Sequence, residues 1–147
     1  FPLQIRRPPM DLTVTFPGNL QVDAQIGPLT IHTDQPKLAG GDGSGPAPYS
    51  LFLASLGTCA GIYVLGFCKN RGLPTEGIKL IQHHDFNPIS GKLESVKLDI
   101  QVPESFPRKY HQALVRVADQ CAVKKTLLNP PDISVNTVVA GEMRAAG

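Results

Sequence analysis

The sequence has no tryptophan, two methionines and three cysteines in 147 residues. Three is an odd and sparse count, whereas a disulfide-stapled secreted scaffold carries denser, paired cysteines. The expectation is a reducing, cytoplasmic setting, and no signal-peptide pattern opposes it. An excess of one charge is also missing. Fourteen Lys and Arg face twelve Asp and Glu, giving a formal net charge of +2. No Lys/Arg block occurs, so nothing indicates a nucleic-acid-binding surface. No Gly-Lys-Ser/Thr closes the glycine-rich stretch to make a phosphate loop. No G-x-S-x-G elbow supports a serine nucleophile. No C-x-x-C pair and no internal repeat is present.

The chain does have 41% hydrophobic residues, enough for one core in a domain of this length. A single domain over residues 1–147 is expected. Glycine and proline, 14 of each, cluster where the apolar period breaks. Leu12, Val14 and Phe16 alternate, as do Leu20, Val22, Ala24 and Ile26, and then Leu29 and Ile31. Period two with turns at Pro17-Gly18-Asn19 and Gly27-Pro28 predicts an N-terminal β-meander with one apolar face. Ile78–Phe86 and Val96–Val102 predict two further strands around an Asn87–Gly91 turn. Tyr110, Leu114, Val117 and Cys121 then step by four, three and four, one stripe of a helix. "CAVKKTLLN" predicts a short helix ended by Pro130-Pro131, and Ile133, Val135, Thr137 and Val139 predict a last strand.

Between these elements lies a run from Ala47 to Cys68 without one charged side chain. Pro46 and Pro48 suit a first helical turn. Lys69 and Arg71, then Gly72, suit a helix end. About 20 apolar residues are enough to cross a membrane, but a helix apolar on all sides is equally a buried one. The flanking amphipathic strands need a cover, so a long buried central helix is expected and no membrane contact. Gly57 and Gly61 share a face and permit close approach. They face either the same helix of a second subunit or a strand of the same chain.

Two of the three cysteines lie in this helix. Cys59 and Cys68 are nine residues apart, which at about 100° per residue places them on opposite sides. They cannot bridge each other or share a metal ion. A free cysteine is commonly a small apolar filler, and Cys68 is read as one. Cys121 falls at the start of the predicted short helix, where helix start, Lys124 and Lys125 would favour a thiolate. His83 and His84 are adjacent on a strand and so point oppositely. Only one could join Cys59, and no metal or other cofactor is expected.

The stretch "DQPKLAGGDGSGPAPYSLFLASLGTC", followed about sixty residues later by the cysteine of "ADQCAVKKTL", resembles the OsmC/Ohr family of osmotically inducible and organic hydroperoxide resistance proteins. The resemblance extends from about Asp34 to the last predicted strand. It implies an α+β fold of the OsmC-like kind and an intertwined homodimer with two central cysteine-bearing helices. It also implies thiol-dependent reduction of organic hydroperoxides. Cys59 would attack and become a sulfenic acid, Cys121 would condense with it, and a dithiol would restore both. Where catalytic members carry a glutamate on the first helical turn, this chain has Tyr49 followed by Ser50. The resemblance makes these two the candidate substrate contacts. Arg6 and Arg7 are the only arginines before Cys59, and Lys37 is a substitute for the family's thiolate-contacting arginine. The alternative within the same fold is a dimer that binds an apolar ligand or senses redox state.

Overall fold

The computed structural model describes residues 10–141, so Arg6 and Arg7 lie outside the described residues. The N-terminal meander is present as β1 (Thr13–Thr15), β2 (Val22–Ile26) and β3 (Leu29–Thr33), an antiparallel sheet in the order β1-β2-β3. Val14 lies opposite Ala24, and Ala24 opposite Ile31. The β2–β3 hairpin closes over two residues, with Ile26 opposite Leu29 and Gly27 at φ 54°. Tight hairpins need this left-handed backbone to match the strand twist.

A long α1 (Pro48–Asn70) follows, with proline in its first turn. No carboxylate occupies that turn, and no side chain caps it. Its far end is closed by Gly72 at φ 63°, with Leu73 N–H donating to Cys68 O at 2.9 Å and Gly72 N–H to Lys69 O at 3.2 Å, a Schellman stop. Arg71 lies over the Phe67 ring at 3.9 Å. The chain then forms a second antiparallel pair, β4 (Lys79–Phe86) and β5 (Leu93–Gln101). A one-turn 3₁₀ segment, Arg108–Tyr110, leads into α2 (His111–Ala118), and α3 (Ala122–Leu128) completes the order. The architecture is mixed α+β, as the sequence implied.

The core lies where α1 crosses α2. Val64, Phe67, Cys68, Phe106 and Leu114 are buried against one another, with Tyr110 edge-on to Phe67 at 5.7 Å. Each large apolar side chain so buried contributes about 1.5–3 kcal/mol. Cys68 is fully buried there, the filler role read from its sequence context. Burial pushes its thiol above the usual range. The glycine face of α1 meets β4 of the same chain. A Cβ on Gly57 would touch Gln82, and one on Gly61 would sit by Leu80. The strand, not a second helix, is what these glycines accommodate within the chain.

One expected element is absent. Residues 130–139 form no strand, and the apolar members Ile133 and Val135 are 85% and 91% exposed. Alternation alone does not make a strand, because the backbone groups need a neighbouring edge. No strand of the described residues pairs with this segment.

Candidate functional site

The site is built where α1 meets the α2–α3 corner. After Ala118 the backbone tightens: Asp119 N–H donates to Val115 O, and Cys121 N–H to Ala118 O. Cys121 then turns extended, at φ −46° and ψ 120°, and its sulfur accepts the Lys124 N–H at 3.5 Å. The thiol is thus the N-cap of α3, a weak-acceptor version of the usual Ser or Asp cap. Reversing the chain there presents Cys121 to α1, where its thiol donates to Leu56 O at 3.8 Å. Cys59, one turn further along α1, is half-buried and in hydrogen-bond contact with Cys121. The structure therefore brings together the two cysteines singled out by the sequence, although they stand far apart in the chain.

Electrostatics at Cys121 differ from the expectation of a favoured thiolate. Burial, above all, pushes its thiol up from the usual range. The Lys124 and Val123 N–H groups oppose this, while the hydrogen bond and charge of Cys59 raise it further. Lys124 Nζ is bound by Asp119, and Lys125 Nζ by Gln120 at 2.9 Å. The two ammonium groups are committed to side chains of the α2–α3 corner. Cys121 thus holds its proton near neutral pH, chiefly because it is buried.

Beside Cys121 is a cavity of about 730 Å³, whose wall includes Leu56 and Ala60 on either side of Cys59 in the chain but not Cys59 itself. Leu56 and Ala60 of α1, Val96, Leu98 and Ile100 of β5, and Cys121 form much of its wall. The period-two run on β5 was visible in the sequence as an apolar face. Its use as a cavity wall was not, since that depends on how α2 and α3 stand off from the sheet. Polar groups at the wall include Asp119 and Lys124, already paired with each other.

The remaining candidates lie apart. Tyr49 and Ser50 occupy the first turn of α1, and both are exposed. At about 1.5 Å per residue they are roughly 15 Å along the axis from Cys59. Tyr49 packs on Phe52 with ring centres 5.5 Å apart. Lys37 is on an exposed 3₁₀ turn, Lys37–Ala39. The two histidines of β4 do point oppositely. His83 faces outward to Asp99 at 3.3 Å. His84 lies inward, 2.6 Å from Gln82 Nε2, which also donates to Leu53 O at 2.8 Å. That carbonyl fixes the Gln82 amide as donor, so His84 Nε2 accepts and its proton is on Nδ1. Among the described residues no group of three or more His, Cys, Asp or Glu could hold a metal ion.

The comparisons agree with this architecture. The profile of the OsmC-like proteins matches residues 41–136. A search of curated proteins finds no relative. A crystal structure of a putative osmotic stress induced and detoxification response protein from Psychrobacter arcticus superposes with a TM-score of 0.67 at 19% identity, covering 83% of this chain and 90% of that one. An OsmC-like protein from Mycoplasma pneumoniae gives 0.60 at 18%, covering 84% and 89%. An organic hydroperoxide resistance protein from Legionella pneumophila gives 0.52 at 18%, covering 82% and 89%. α1, the two cysteines it carries and the α2–α3 corner all fall inside the matched span, and the chain belongs to the OsmC-like protein family.

Proposed function

We propose that this chain is a thiol-dependent organic hydroperoxide reductase, a single OsmC-like domain working through Cys59 and Cys121. The observation that carries the reading is the hydrogen-bond contact between these two thiols, with Cys121 lining a largely apolar cavity. The Cys59 thiolate attacks one peroxide oxygen, the O–O bond breaks, and the leaving alkoxide takes a proton to become an alcohol. Sulfur has then gained the oxygen as a sulfenic acid. The Cys121 thiol, still protonated and already in contact, displaces it as water and forms the disulfide. An external dithiol reduces that bond and is itself oxidised to a disulfide. The apolar wall favours an alkyl hydroperoxide over hydrogen peroxide, and the chemistry needs no cofactor. Neither nucleic acid nor membrane is a partner in this reading, and the thiols suit a cytoplasmic location. The hydroperoxide resistance named for the Legionella relative is in line with this substrate class.

The working unit in this reading is a homodimer. Ile62 on α1, Phe16 and Leu29 at the N-terminal sheet, and Ile133 and Val135 in the tail are all exposed in one chain. So much apolar surface is characteristic of an interface. Sedimentation at micromolar concentration gives twice the chain mass if this is so.

A second reading keeps the fold but not the chemistry: a dimer that binds an apolar ligand or senses redox state. It is favoured by one observation. The ammonium groups of Lys124 and Lys125 are both engaged by other side chains, leaving the activation of Cys59 to groups elsewhere. Consumption of tert-butyl hydroperoxide with a dithiol reductant separates the two. Turnover abolished by Cys59→Ser, with a sulfenic acid trapped in Cys121→Ser, supports the reductase. Turnover no greater than that of Cys59→Ser rejects it.

A further inference from the structure

In the N-terminal sheet and the loop that follows it, four side chains form an unbroken hydrogen-bonded row. Asp23 Oδ1 on β2 is 2.6 Å from His32 Nδ1 on β3. His32 Nε2 is 2.8 Å from Ser44 Oγ. Ser44 Oγ donates to Asp34 Oδ2 at 2.6 Å, and Ser44 N–H donates to the same oxygen at 3.0 Å. Asp23, His32 and Ser44 alone have the connectivity of a serine-hydrolase triad. The fourth member changes its meaning. Asp34 is wholly buried, and its carboxyl is lowered to about 2, chiefly by the Ser44 hydroxyl and amide. A carboxylate so placed takes the only proton Ser44 can give. The hydroxyl is then not available to His32, and the serine is a link in a chain, not a nucleophile.

Counting protons along the row fixes the rest. Asp34 and Asp23, as carboxylates, only accept. Ser44 has one hydrogen, spent on Asp34, so His32 Nε2 must donate to Ser44 Oγ. Nδ1 must likewise donate to Asp23. All three bonds coexist only when both ring nitrogens carry protons, an imidazolium between two carboxylates. The neutral ring, with one proton, makes two of the three.

The row joins the ends of a loop. Asp34 N–H donates to Pro46 O at 3.1 Å, so the chain from 34 to 46 leaves and returns at one point, directly before α1. Asp42 lies on the same loop, held by Asn19 at 3.1 Å and by Gln21 at 3.5 Å. Gln21 also reaches Ser44 Oγ at 3.5 Å. His32 therefore touches Asp23 from β2 and Ser44 from the loop, while Asp34 connects to it through Ser44 and Asp42 through Gln21 and Ser44. Gly45 is so close that a Cβ there would meet the ring at 2.9 Å. Lys37, the loop's cation, lies with its stem along Gly43.

We infer that Asp23, His32, Ser44 and Asp34 form a protonation-dependent clasp. Doubly protonated His32 seats the 34–46 loop at the start of α1, and loss of one ring proton loosens it. This stands independently of the peroxide chemistry. The test is NMR of the full chain labelled with ¹⁵N-histidine, alongside amide exchange of Gly43 and Ser44, across mildly acidic to mildly alkaline pH. His32 is assigned in the unaltered protein by the through-space contact of its ring with Gly45. The expected result is two protonated ring nitrogens at the acidic end. As the second proton leaves, Ser44 protection should fall about tenfold after correction for intrinsic exchange, the effect of losing one charge-assisted bond. His32→Gln and Ser44→Ala should show low, pH-independent protection. A neutral His32 tautomer with Ser44 fully protected at the acidic end would overturn the clasp. So would a protection step that survives in Ser44→Ala. The first of these readouts is made on the unaltered protein and does not depend on any variant folding.

Discussion

The Cys121 thiol donates to the backbone carbonyl of Leu56 at 3.8 Å, one helical turn before Cys59. Together with the contact to Cys59, this hydrogen bond ties the α2–α3 corner to the middle of α1. It leaves Cys121 buried and protonated while Cys59 remains half-exposed.

Alkylation therefore proceeds in a definite order. Burial and Cys59 raise the Cys121 thiol, and burial raises that of Cys68. The thiolate is the reactive form, so with iodoacetamide near neutral pH Cys59 is modified first. Cys121 gains reactivity only as pH passes its ordinary value of 9.0. Cys68 reacts only when the core opens. Peptide mass mapping over a time course reads the order, and modification of Cys121 before Cys59 would contradict this assignment of the two thiols.

Acid stability depends on Asp34. Its folded value, about 2, lies below the ordinary 3.8. The sign follows from proton uptake: above 3.8 the carboxylate contributes its full stabilisation, and as pH falls towards 2 the unfolded chain takes up the proton first. Stability is lost progressively through that window. Asp34→Asn removes the titration, so its urea midpoint should be lower near neutrality and should depend less on pH between about 4 and 2. Parallel acid curves for the two proteins would contradict this.

The order of elements was legible in the sequence because each had a local cause. The alternation at Val22–Ile26, the uncharged run that became α1, and the four-three-four stepping of Tyr110, Leu114, Val117 and Cys121 all reflect one buried face. The last strand failed because Ile133 and Val135 alternate while no strand of the described residues pairs with them, and alternation alone cannot supply a partner. The Cys59–Cys121 contact came from resemblance to a family, since spacing does not say which residues a corner will bring together. The Asp34 loop was seen only as a glycine-rich connection. Its polar residues are spread over Asp23, His32, Asp34 and Ser44, and only the β2–β3 register, which places Asp23 opposite His32, joins them.

Gly41 is fixed by that loop. A Cβ there would sit 2.0 Å from Gln35 O and 2.9 Å from Asp34 Oδ1. The first contact is with backbone and cannot be relieved by a rotamer change. Gly41→Ala should therefore cost about 2 kcal/mol or more by forcing the loop off Asp34. Gly18→Ala, which meets nothing within 4 Å, is the control and should stay within about 0.5 kcal/mol. Chemical denaturation of the pair checks it, and equal stability would show that the loop yields without losing its bonds to Asp34.

Leu114 and Val135 test whether the core and the proposed interface are separate. Leu114 is 1% exposed in the α1–α2 core, whereas Val135 is 91% exposed in the tail. Leu114→Ala should cost about 2–5 kcal/mol through lost burial and the cavity left behind. Val135→Asp touches no packed neighbour within one chain, so any effect it has must come through a second copy. It should weaken self-association in sedimentation while Leu114→Ala lowers the unfolding midpoint at every protein concentration. If Val135→Asp instead destabilises the chain equally at all concentrations, the tail packs within its own chain in solution and the surface proposed for dimerisation must be sought on α1 and the N-terminal sheet.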